Sequence, residues 1–458
     1  MMRILFLTDN FPPETNAPAV RTYEHARVWV EAGHDVTVIT GFPNFPAGRV
    51  YDGYANRLRR VEMVDGIRVV RVWTYIAPNR GTVRRTLDYL SFLVSAVPAA
   101  LLEPRPDVVV GTSPQFFTSV AASFVSRIRR APFVFELRDL WPESITAVGA
   151  AGEGPIIRAL ARTAHGLYER ADRIVSVTES FRQVLAKRGI DPDKIDVVRN
   201  AVDLDGFRPG PRDNGVRTRL RIASGTFLVT YVGTIGMAHG LEHVLEAAEM
   251  LRGEPIRFLI VGEGARKEEL EDRARTMRLD NVTFLPRQPR EDVPAFLAAS
   301  DAVVVHLKDD PLFRHVVPSK IFEAMAAGRP LVHAVRGESA DIVNDARCGI
   351  TVKPECPLEM AAAIRRLQAD AELASVLGRN GRAAAEGEFC RNAAALRMLD
   401  VLERVAGAGN GLGRRGRDVT PRPARPAIPG SREAVPQARP GEASRDIPSR
   451  SSSAARRS

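Results

Sequence analysis

The segment Val317–Pro330, with the sequence VPSKIFEAMAAGRP, carries the residues best suited to bind a charged ligand. Pro318 is typical of the start of a helix, so we expect a helix to begin there. The backbone amides of Ser319–Ile321 would then point outward and favour a diphosphate group. Glu323, about one turn into this helix, is placed to bond both hydroxyls of a ribose. The alternative is an ordinary capped helix with a solvated glutamate.

Two further loops each follow an apolar strand candidate and contain glycines. The first is GTIGMAHG over Gly233–Gly240, and the second is GEG from Gly262. Glycines let the backbone approach a phosphate closely, and a helix that starts after such a loop favours negative charge at its N-terminus. Glycines also allow simple tight turns, so either loop alone is a weak signal.

The apolar run Phe133–Leu137 ends abruptly in the polar sequence RDLWPE. Charged side chains at the end of a buried strand cost desolvation energy, which favours a functional role over a surface role. We expect Asp139 to accept a proton or bond a sugar hydroxyl, Arg138 to hold a phosphate or orient Asp139, and Trp141 to stack on a sugar ring.

The first strand candidate, Ile4–Thr8, is followed by the loop DNFPPETNAP and then by helical periodicity over Ala19–Glu31. In an open α/β sheet such a loop faces the ligand cleft, and the helix start after it suits an anionic group. The alternative is an ordinary strand–helix turn.

Apolar runs alternate with segments of helical period along most of the chain, which is typical of parallel sheets covered by helices. One series lies in residues 1–200, with a β-hairpin predicted at Asp65-Gly66. A second series occupies residues 226–388, after a polar stretch over 201–225 that we interpret as a linker. Two Rossmann-like domains are therefore expected, facing each other across a cleft that is the expected active site.

The 458-residue chain is 45% hydrophobic and 26% charged, which suits two folded domains rather than a wholly disordered protein. Residues 407–458 contain 11 arginines, four acidic residues and seven prolines. They carry +7 of the formal charge of +10, so most of the basicity lies in a segment that we expect to be disordered. Nucleic-acid binding through this segment is the alternative that we disfavour.

No secretory signal is recognisable at Met1–Thr8, and the three cysteines fit reduced thiols, so a cytoplasmic location is expected. The stretch Thr86–Leu102 contains Asp88 and Pro98 and is shorter than the ~20 apolar residues of a spanning helix. We expect a core helix or one that docks on the inner face of an anionic membrane. Basic residues that precede the stretch would favour such docking: Arg80, Arg84 and Arg85.

Four motifs together resemble glycosyltransferase family 4, whose members are retaining enzymes of the GT-B fold. They are FPPE at 11–14, RDLWPES at 138–144, the GTIG…HG loop at 233–240 and PSKIFEAMAAGRP at 318–330. The resemblance covers roughly residues 2–405. It is strongest to the branch that resembles the N-acetyl-fucosamine transferases of bacterial surface-polysaccharide assembly.

The resemblance implies that the second domain binds a nucleoside diphosphate sugar, usually UDP-linked, and that residues 389–406 form a helix that returns to the first domain. Glu323 matches the second glutamate of the family's E-x7-E motif, and His315 stands at the position of the first. His239 and Met237 stand where the family often has basic residues. The cations expected to act on the diphosphate, beside the backbone amides, are Arg138, Lys320 and Arg314.

The implied reaction is retaining transfer of an N-acetylated hexosamine or deoxyhexosamine from a UDP-sugar to a lipid-linked glycan. No cofactor or metal ion is expected, because no Asp-x-Asp pair stands at a strand end and helix-terminus amides can stabilise the diphosphate. A sugar-nucleotide 2-epimerase and a non-catalytic nucleotide-sugar-binding protein are the alternatives. The predicted donor-binding residues are Gly233, Thr234, Gly236, His239, Gly262, Glu263, His315, Pro318, Ser319, Lys320, Ile321 and Glu323; the predicted acceptor-binding residues are Asn10, Pro13, Glu14, Asn16, Trp141 and Glu143; and the predicted catalytic residues are Arg138, Asp139 and Glu323.

Overall fold

The computed structural model describes residues 1–45, 48–76, 82–144 and 154–410. Over these ranges the chain forms an eight-stranded and a six-stranded sheet, each covered by helices. The segment predicted to be disordered, residues 407–458, differs from the prediction over 407–410, which continue the last helix; its remaining residues, from 411 onward, lie outside the described ranges.

The first sheet has the strand order β3-β4-β2-β1-β5-β6-β7-β8, and only the β3–β4 pair is antiparallel. That pair is the predicted hairpin, and Asp65 and Gly66 at its turn have φ values of 48° and 79°. Both residues suit a turn that requires positive φ. The elements of this domain are β1 (Arg3–Leu7), α1 (Ala17–Glu31), β2 (Asp35–Gly41), β3 (Arg59–Val64), β4 (Ile67–Val72), α2 (Thr82–Leu101), β5 (Val108–Thr112), α3 (Phe116–Arg129), β6 (Phe133–Leu137), α4 (Pro155–Arg170), β7 (Arg173–Ser176), α5 (Glu179–Lys187) and β8 (Ile195–Val197).

The second sheet is wholly parallel, with the strand order β11-β10-β9-β12-β13-β14. Its last strand, β14, was not predicted because it is only three residues long. The elements are α6 (Gly215–Arg219), β9 (Phe227–Val232), α7 (Glu242–Met250), β10 (Ile256–Val261), α8 (Lys267–Thr276), β11 (Val282–Leu285), α9 (Val293–Ala299), β12 (Ala302–His306), α10 (Lys320–Ala326), β13 (Leu331–Ala334), α11 (Glu338–Asp345), β14 (Gly349–Thr351), α12 (Pro357–Ala369), α13 (Ala371–Gly387) and α14 (Arg391–Asn410).

Each face of the first sheet has its own apolar core. Helices α2, α3 and α4 cover one face, and α1 covers the other together with α14 from the end of the chain. Trp29 Nε1 on α1 donates to the carbonyl of Ala395 on α14 at 2.9 Å. Met398 and Leu402 of α14 are fully buried in the same core. The GT-B arrangement, with a last helix that crosses back to the first domain, is therefore confirmed.

The stretch 201–225 differs from the predicted linker because its second half packs on the second domain. Helix α6 begins after Asn214, whose side chain accepts a hydrogen bond from the Val216 amide. Val216 is buried in a cluster with residues of β9, β10 and α9. Arg217 is buried beside it and forms an ion pair with Asp301 at 2.5 Å. One apolar and one paired basic side chain thus fix a segment whose overall polarity indicated a linker.

The described ranges contain no helix long and apolar enough to cross a membrane. Helix α2 includes most of the apolar stretch Thr86–Leu102. Its side chains Phe92, Ala96 and Ala100 are buried in the core. Its outward side leaves Leu90 and Val94 exposed. The helix is therefore amphipathic, with one face in the core and one at the surface.

Candidate functional site

A cavity of about 870 Å³ lies between the two sheets and is lined by both domains. Its position agrees with the expectation that ligands of such sheets bind beyond the carboxyl ends of the strands. The first domain contributes mainly residues of α1 and of the loop before it, together with Arg138, which follows β6. The second contributes mainly the loops after β9 and β10 and the start of α10. The predicted residues that line the cavity are Asn16, Arg138, Gly233, Thr234, Gly236, Gly262, Glu263, Ser319 and Glu323.

The glycine loops of the second domain pack against each other so tightly that side chains are excluded. A Cβ on Gly262 would lie 1.9 Å from the Gly233 carbonyl oxygen, and one on Gly264 would lie 2.3 Å from the Ile235 carbonyl oxygen. The Ile235 amide donates to the Glu263 carbonyl at 2.9 Å, which ties the loops together. Because real Cβ atoms do not approach so closely, this part of the wall consists of bare backbone.

Helix α10 begins at Lys320, with Ser319 at its N-cap, so the helix starts two residues after the predicted start at Pro318. The Ile321 amide donates to the Pro318 carbonyl at 3.1 Å, and the Ile321 side chain is fully buried. Ile321 is therefore not available to a ligand, and its assignment to the donor is corrected. Within the described chain, the amides of Ser319 and Lys320 have no backbone acceptor, so the predicted cradle is two amides wide rather than three.

The ammonium group of Lys320 lies directly behind the glycine loop. Its Nζ donates to Tyr231 Oη at 2.7 Å, and it would be 2.8 Å from a Cβ placed on Gly233. Burial lowers the pKa of Lys320 to about 7. Burial and the neighbouring Lys320 likewise lower the pKa of His239 to about 3, so His239 is neutral and adds no positive charge to this loop.

Glu323 lines the cavity one turn into α10. Burial raises its pKa, while Arg290, Arg391 and Lys320 act in the opposite direction. Both arginines also contact Glu24 of α1. Arg391 forms an ion pair with it, and Arg290 Nη2 lies 3.8 Å from Glu24 Oε1. Burial raises the pKa of Glu24 to about 7 despite these cations. Arg290 and Arg391 thus act on one carboxylate from each domain, Glu24 of the first and Glu323 of the second.

The wall formed by the first domain is rich in charged side chains. Arg21 Nε donates to Glu136 Oε1 at 2.8 Å, and both side chains are buried. His25 is buried beside them, and its pKa is well below the ordinary value because of burial and the nearby arginines. Arg138 lines the same wall, and burial lowers its pKa to about 10.

Several residues predicted for the acceptor site hold loops together instead of lining the cavity. The carboxylate of Glu14 is buried and accepts hydrogen bonds from the amides of Phe11, Asn44 and Phe45. Asn10 accepts a hydrogen bond from the side chain of Asn16, which itself caps α1 by accepting from Ala19. Pro13 is exposed in the same loop and does not line the cavity.

The RDLWPE segment was predicted to supply four residues to the site, and only Arg138 lines the cavity. Trp141 is stacked on Phe116, with ring centroids 4.8 Å apart, and belongs to the core. This contact leaves its ring unavailable for a sugar. Burial raises the pKa of Asp139 to about 6, while hydrogen bonds from Ser144 and the Leu140 amide hold its carboxylate in a local turn. Glu143 forms an ion pair with Arg188 at 2.9 Å.

His315 lies outside the cavity, in a short turn before α10. Burial lowers its pKa, and its charged neighbours are Lys187, Arg188 and Arg314 together with Glu338. Arg314 is exposed and contacts Asp309 rather than the cavity. Neither residue is placed to contact a ligand there.

Other residues of the cavity wall were not predicted from the sequence. On α1 they recur at a spacing of three or four residues, which places them on one helix face and is the signal that could have revealed them. The others come from distant segments and carry no local motif. These unpredicted residues include Arg21, Glu24, His25, Asn200, Arg287, Arg290 and Arg391. Among the described residues, no group of three or more His, Cys, Asp or Glu side chains could hold a metal ion.

Two sequence models of known families match the chain. The Glycosyl transferase 4-like domain matches residues 16–201, and Glycosyl transferases group 1 matches residues 215–384. The two matches follow the two sheets and together span most of the chain.

Named relatives agree with this assignment. The Escherichia coli (strain K12) protein named as a colanic acid biosynthesis glycosyl transferase, WcaI, is 29% identical over 338 residues, which are 71% of this chain and 82% of the relative. The D-inositol 3-phosphate glycosyltransferase of Nocardia farcinica is 33% identical over 228 residues, or 47% of this chain and 49% of the relative. The chain thus spans about half the length of this second relative.

Solved structures share the fold. Sucrose-phosphate synthase from Thermosynechococcus elongatus superposes with a TM-score of 0.72 at 18% identity, covering 89% of this chain and all of that one. Anabaena HepE, solved in complex with UDP and glucose, superposes with a TM-score of 0.67 at 19% identity. The superposition covers 88% of this chain and all of the HepE chain. The two family matches and the named relatives show that this chain is a glycosyltransferase, and the two-sheet architecture that it shares with the solved structures is the GT-B fold.

Proposed function

We propose that this glycosyltransferase transfers an N-acetylated hexosamine or deoxyhexosamine from a UDP-sugar to a lipid-linked glycan, with retention of configuration, in surface-polysaccharide synthesis. The observation that carries the proposal is the joint placement of Ser319 and Glu323 at the cavity, together with the bare backbone of Gly233 and Gly262. A helix start beside a glycine wall suits a diphosphate, and a carboxylate one turn further suits a ribose.

The donor would lie along the second domain. The amides of Ser319 and Lys320 would face the diphosphate, the ammonium group of Lys320 would add positive charge from behind Gly233, and Glu323 would accept hydrogen bonds from the ribose hydroxyls. The choice of UDP is supported by the family resemblance and by Anabaena HepE, which has been solved with UDP and with UDP-glucose. The branch resembling N-acetyl-fucosamine transferases supports the choice of sugar and forms part of the proposal.

The proposed reaction needs no covalent intermediate with the protein. The bond between the sugar's anomeric carbon and the diphosphate oxygen breaks, and the acceptor hydroxyl oxygen bonds to the same face of that carbon. The hydroxyl proton passes to the leaving diphosphate. The main task of the chain is then to stabilise the charge that develops on the diphosphate, and fixed amides and Lys320 can do this without reorganisation. We include no metal ion in this proposal.

A lipid-linked acceptor fits the outer surface of the first domain. Apolar side chains are exposed on the outer sides of α2 and α3, which cover the same face of the sheet. Val94 is 73% exposed and Phe124 is 52% exposed. Arg84 and Arg127 are exposed on the same two helices. Apolar side chains flanked by arginines suit the surface of an anionic bilayer, so we propose that the enzyme docks there from the cytoplasmic side. The name of the Escherichia coli relative, which refers to colanic acid, supports an acceptor in polysaccharide assembly.

A thermal-shift screen of UDP-, GDP- and dTDP-sugars tests the donor assignment, because a bound ligand stabilises the folded state by mass action. We expect UDP-sugars to raise the melting temperature and the others to have little effect. Release of free UDP only when a lipid-linked acceptor is added would distinguish transfer from epimerisation. Stabilisation by GDP- or dTDP-sugars alone would overturn the choice of nucleotide.

A further inference from the structure

Arg138 presents a cationic head group whose hydrogen-bonding capacity is largely unused. Its Nε and Nη1 are shielded from solvent and have no hydrogen-bond partner among the described residues. The same side chain forms part of the cavity wall. Shielding a charged donor without giving it an acceptor is costly, so folded proteins keep such groups mainly where a ligand completes the site.

The carboxylates next to Arg138 are hydrogen-bonded to other groups. Arg21 is fully engaged, because its Nε donates to Glu136 and its Nη atoms donate to backbone carbonyls after β8. Glu136 is therefore already paired with Arg21. The carboxylate of Asp139 is held by Ser144 and the Leu140 amide. Neither carboxylate accepts a hydrogen bond from Arg138 Nε or Nη1, so both donors stay without a partner among the described residues at this wall of the cavity.

Arg138 and the proposed donor site belong to different domains. The charged groups that act on Glu323 are Arg290, Arg391 and Lys320. Those that act on Arg138 are Glu136, Arg21 and Asp139, all in the first domain. Arg138 follows β6 of the first domain, whereas the cradle at the start of α10 belongs to the second, so Arg138 is part of the cavity wall formed by the first domain.

We infer that Arg138 binds an anionic group, a phosphoryl or a carboxylate, on the acceptor. This inference rests on the proposed function, since it assigns the first domain to the acceptor. A guanidinium offers parallel N–H donors that match the oxygens of either group. A neutral acceptor would leave the cation unpaired in a desolvated site, so Arg138 would also discriminate against uncharged acceptors.

The first test is the stability of the ligand-free Arg138→Met variant. If the arginine serves a ligand, its removal relieves an unpaired charge and raises the melting temperature by a few degrees. The matched control is Arg127→Met, at an exposed arginine of α3, which should leave the melting temperature unchanged. A lower melting temperature for Arg138→Met would overturn the inference, because it would show that the side chain supports the fold.

The second test uses three soluble probes in the presence of saturating UDP: glucose 1-phosphate, glucuronate and glucose. We expect at least one anionic probe, but not glucose, to stabilise the wild-type protein. Stabilisation by glucose 1-phosphate would identify the acceptor's anionic group as phosphoryl, and stabilisation by glucuronate would identify it as a carboxylate. In Arg138→Met its affinity should fall at least tenfold, while the affinity for UDP should change less than threefold.

Three results would overturn the inference: no stabilisation by either anion, displacement of UDP by the anion, or a tenfold loss of UDP affinity in Arg138→Met. The last two would assign Arg138 to the donor diphosphate. If UDP itself does not bind the wild-type protein, the proposed function fails, and the same probes without UDP still decide whether Arg138 is an anion site.

Discussion

The two walls of the cavity are built from different materials. The second domain presents bare main chain at Gly233, Gly262 and the start of α10 and adds side chains such as Glu323, whereas the first domain presents mainly side chains such as Arg21 and Arg138. A backbone wall can bind a group found in every donor of a class, such as a diphosphate. A wall of side chains can be changed by substitution without altering the fold. The wall of the second domain is thus constrained by sterics and the wall of the first domain by charge.

The largest expected effect comes from adding one methyl group to the backbone wall. In Gly262→Ala the new Cβ would meet the Gly233 carbonyl at 1.9 Å, so the loops must separate. We expect a loss of about 3 kcal/mol in the free energy of unfolding and no measurable UDP binding. Chemical denaturation and calorimetric titration measure the two effects.

The control for this substitution is Gly166→Ala in the middle of α4, where a Cβ meets nothing within 4 Å. It should stabilise the protein by about 0.5–1 kcal/mol through helix propensity. A Gly262→Ala protein as stable as wild type and with normal UDP affinity would remove the steric distinction between the walls.

The next largest effect is expected at Glu323. Replacing it by Ala removes two charge-assisted hydrogen bonds to the ribose, so the dissociation constant for UDP should rise about 100-fold. Glu268→Ala, at an exposed position of α8, is the matched control and should bind UDP as wild type does. Unchanged affinity of Glu323→Ala in calorimetric titration would show that the ribose lies elsewhere.

The pH dependence of UDP binding tests whether the positive charge of Lys320 stabilises the bound diphosphate. Burial lowers its pKa to about 7 in the free protein, and a bound diphosphate would favour the protonated form. Binding above pH 7 must therefore take up a proton, and UDP affinity should fall about tenfold per pH unit between pH 7 and pH 9. Lys320→Met should bind UDP more weakly and without this slope. An identical slope in the variant would assign the proton to another group.

The smallest expected effect concerns membrane docking. Val94→Glu on α2 introduces a negative charge into the proposed docking surface and should weaken sedimentation with anionic vesicles about fivefold to tenfold. Leu358→Glu is a matched control on the second domain, since Leu358 is 67% exposed and Val94 is 73% exposed. Equal vesicle binding by both variants would argue against docking through α2 and α3.

The sequence predicted the backbone wall far better than the side-chain wall, for a physical reason. Gly233, Gly262 and Glu323 act within short motifs, where local geometry alone positions them. Residues such as Arg21 and Arg391 reach the cavity only after α1, β6 and α14 have packed together. No local sequence pattern predicts that packing.

The incorrect predictions for the first domain have the same origin. Polar residues after a strand indicated a site, but Glu14 accepts hydrogen bonds from loop amides and Trp141 packs on Phe116. Both side chains stabilise the loops that shape the cavity. Type and spacing alone do not distinguish a side chain that holds a loop from one that contacts a ligand. The two-sheet fold itself was predictable because alternating apolar strands and amphipathic helices repeat along the chain.

A crystal structure of the chain with UDP tests the central claim most directly. We predict the ribose hydroxyls within about 3 Å of the Glu323 carboxylate and the β-phosphate at the amides of Ser319 and Lys320. A nucleotide bound elsewhere, or bound in the cavity with its ribose away from Glu323, would contradict it.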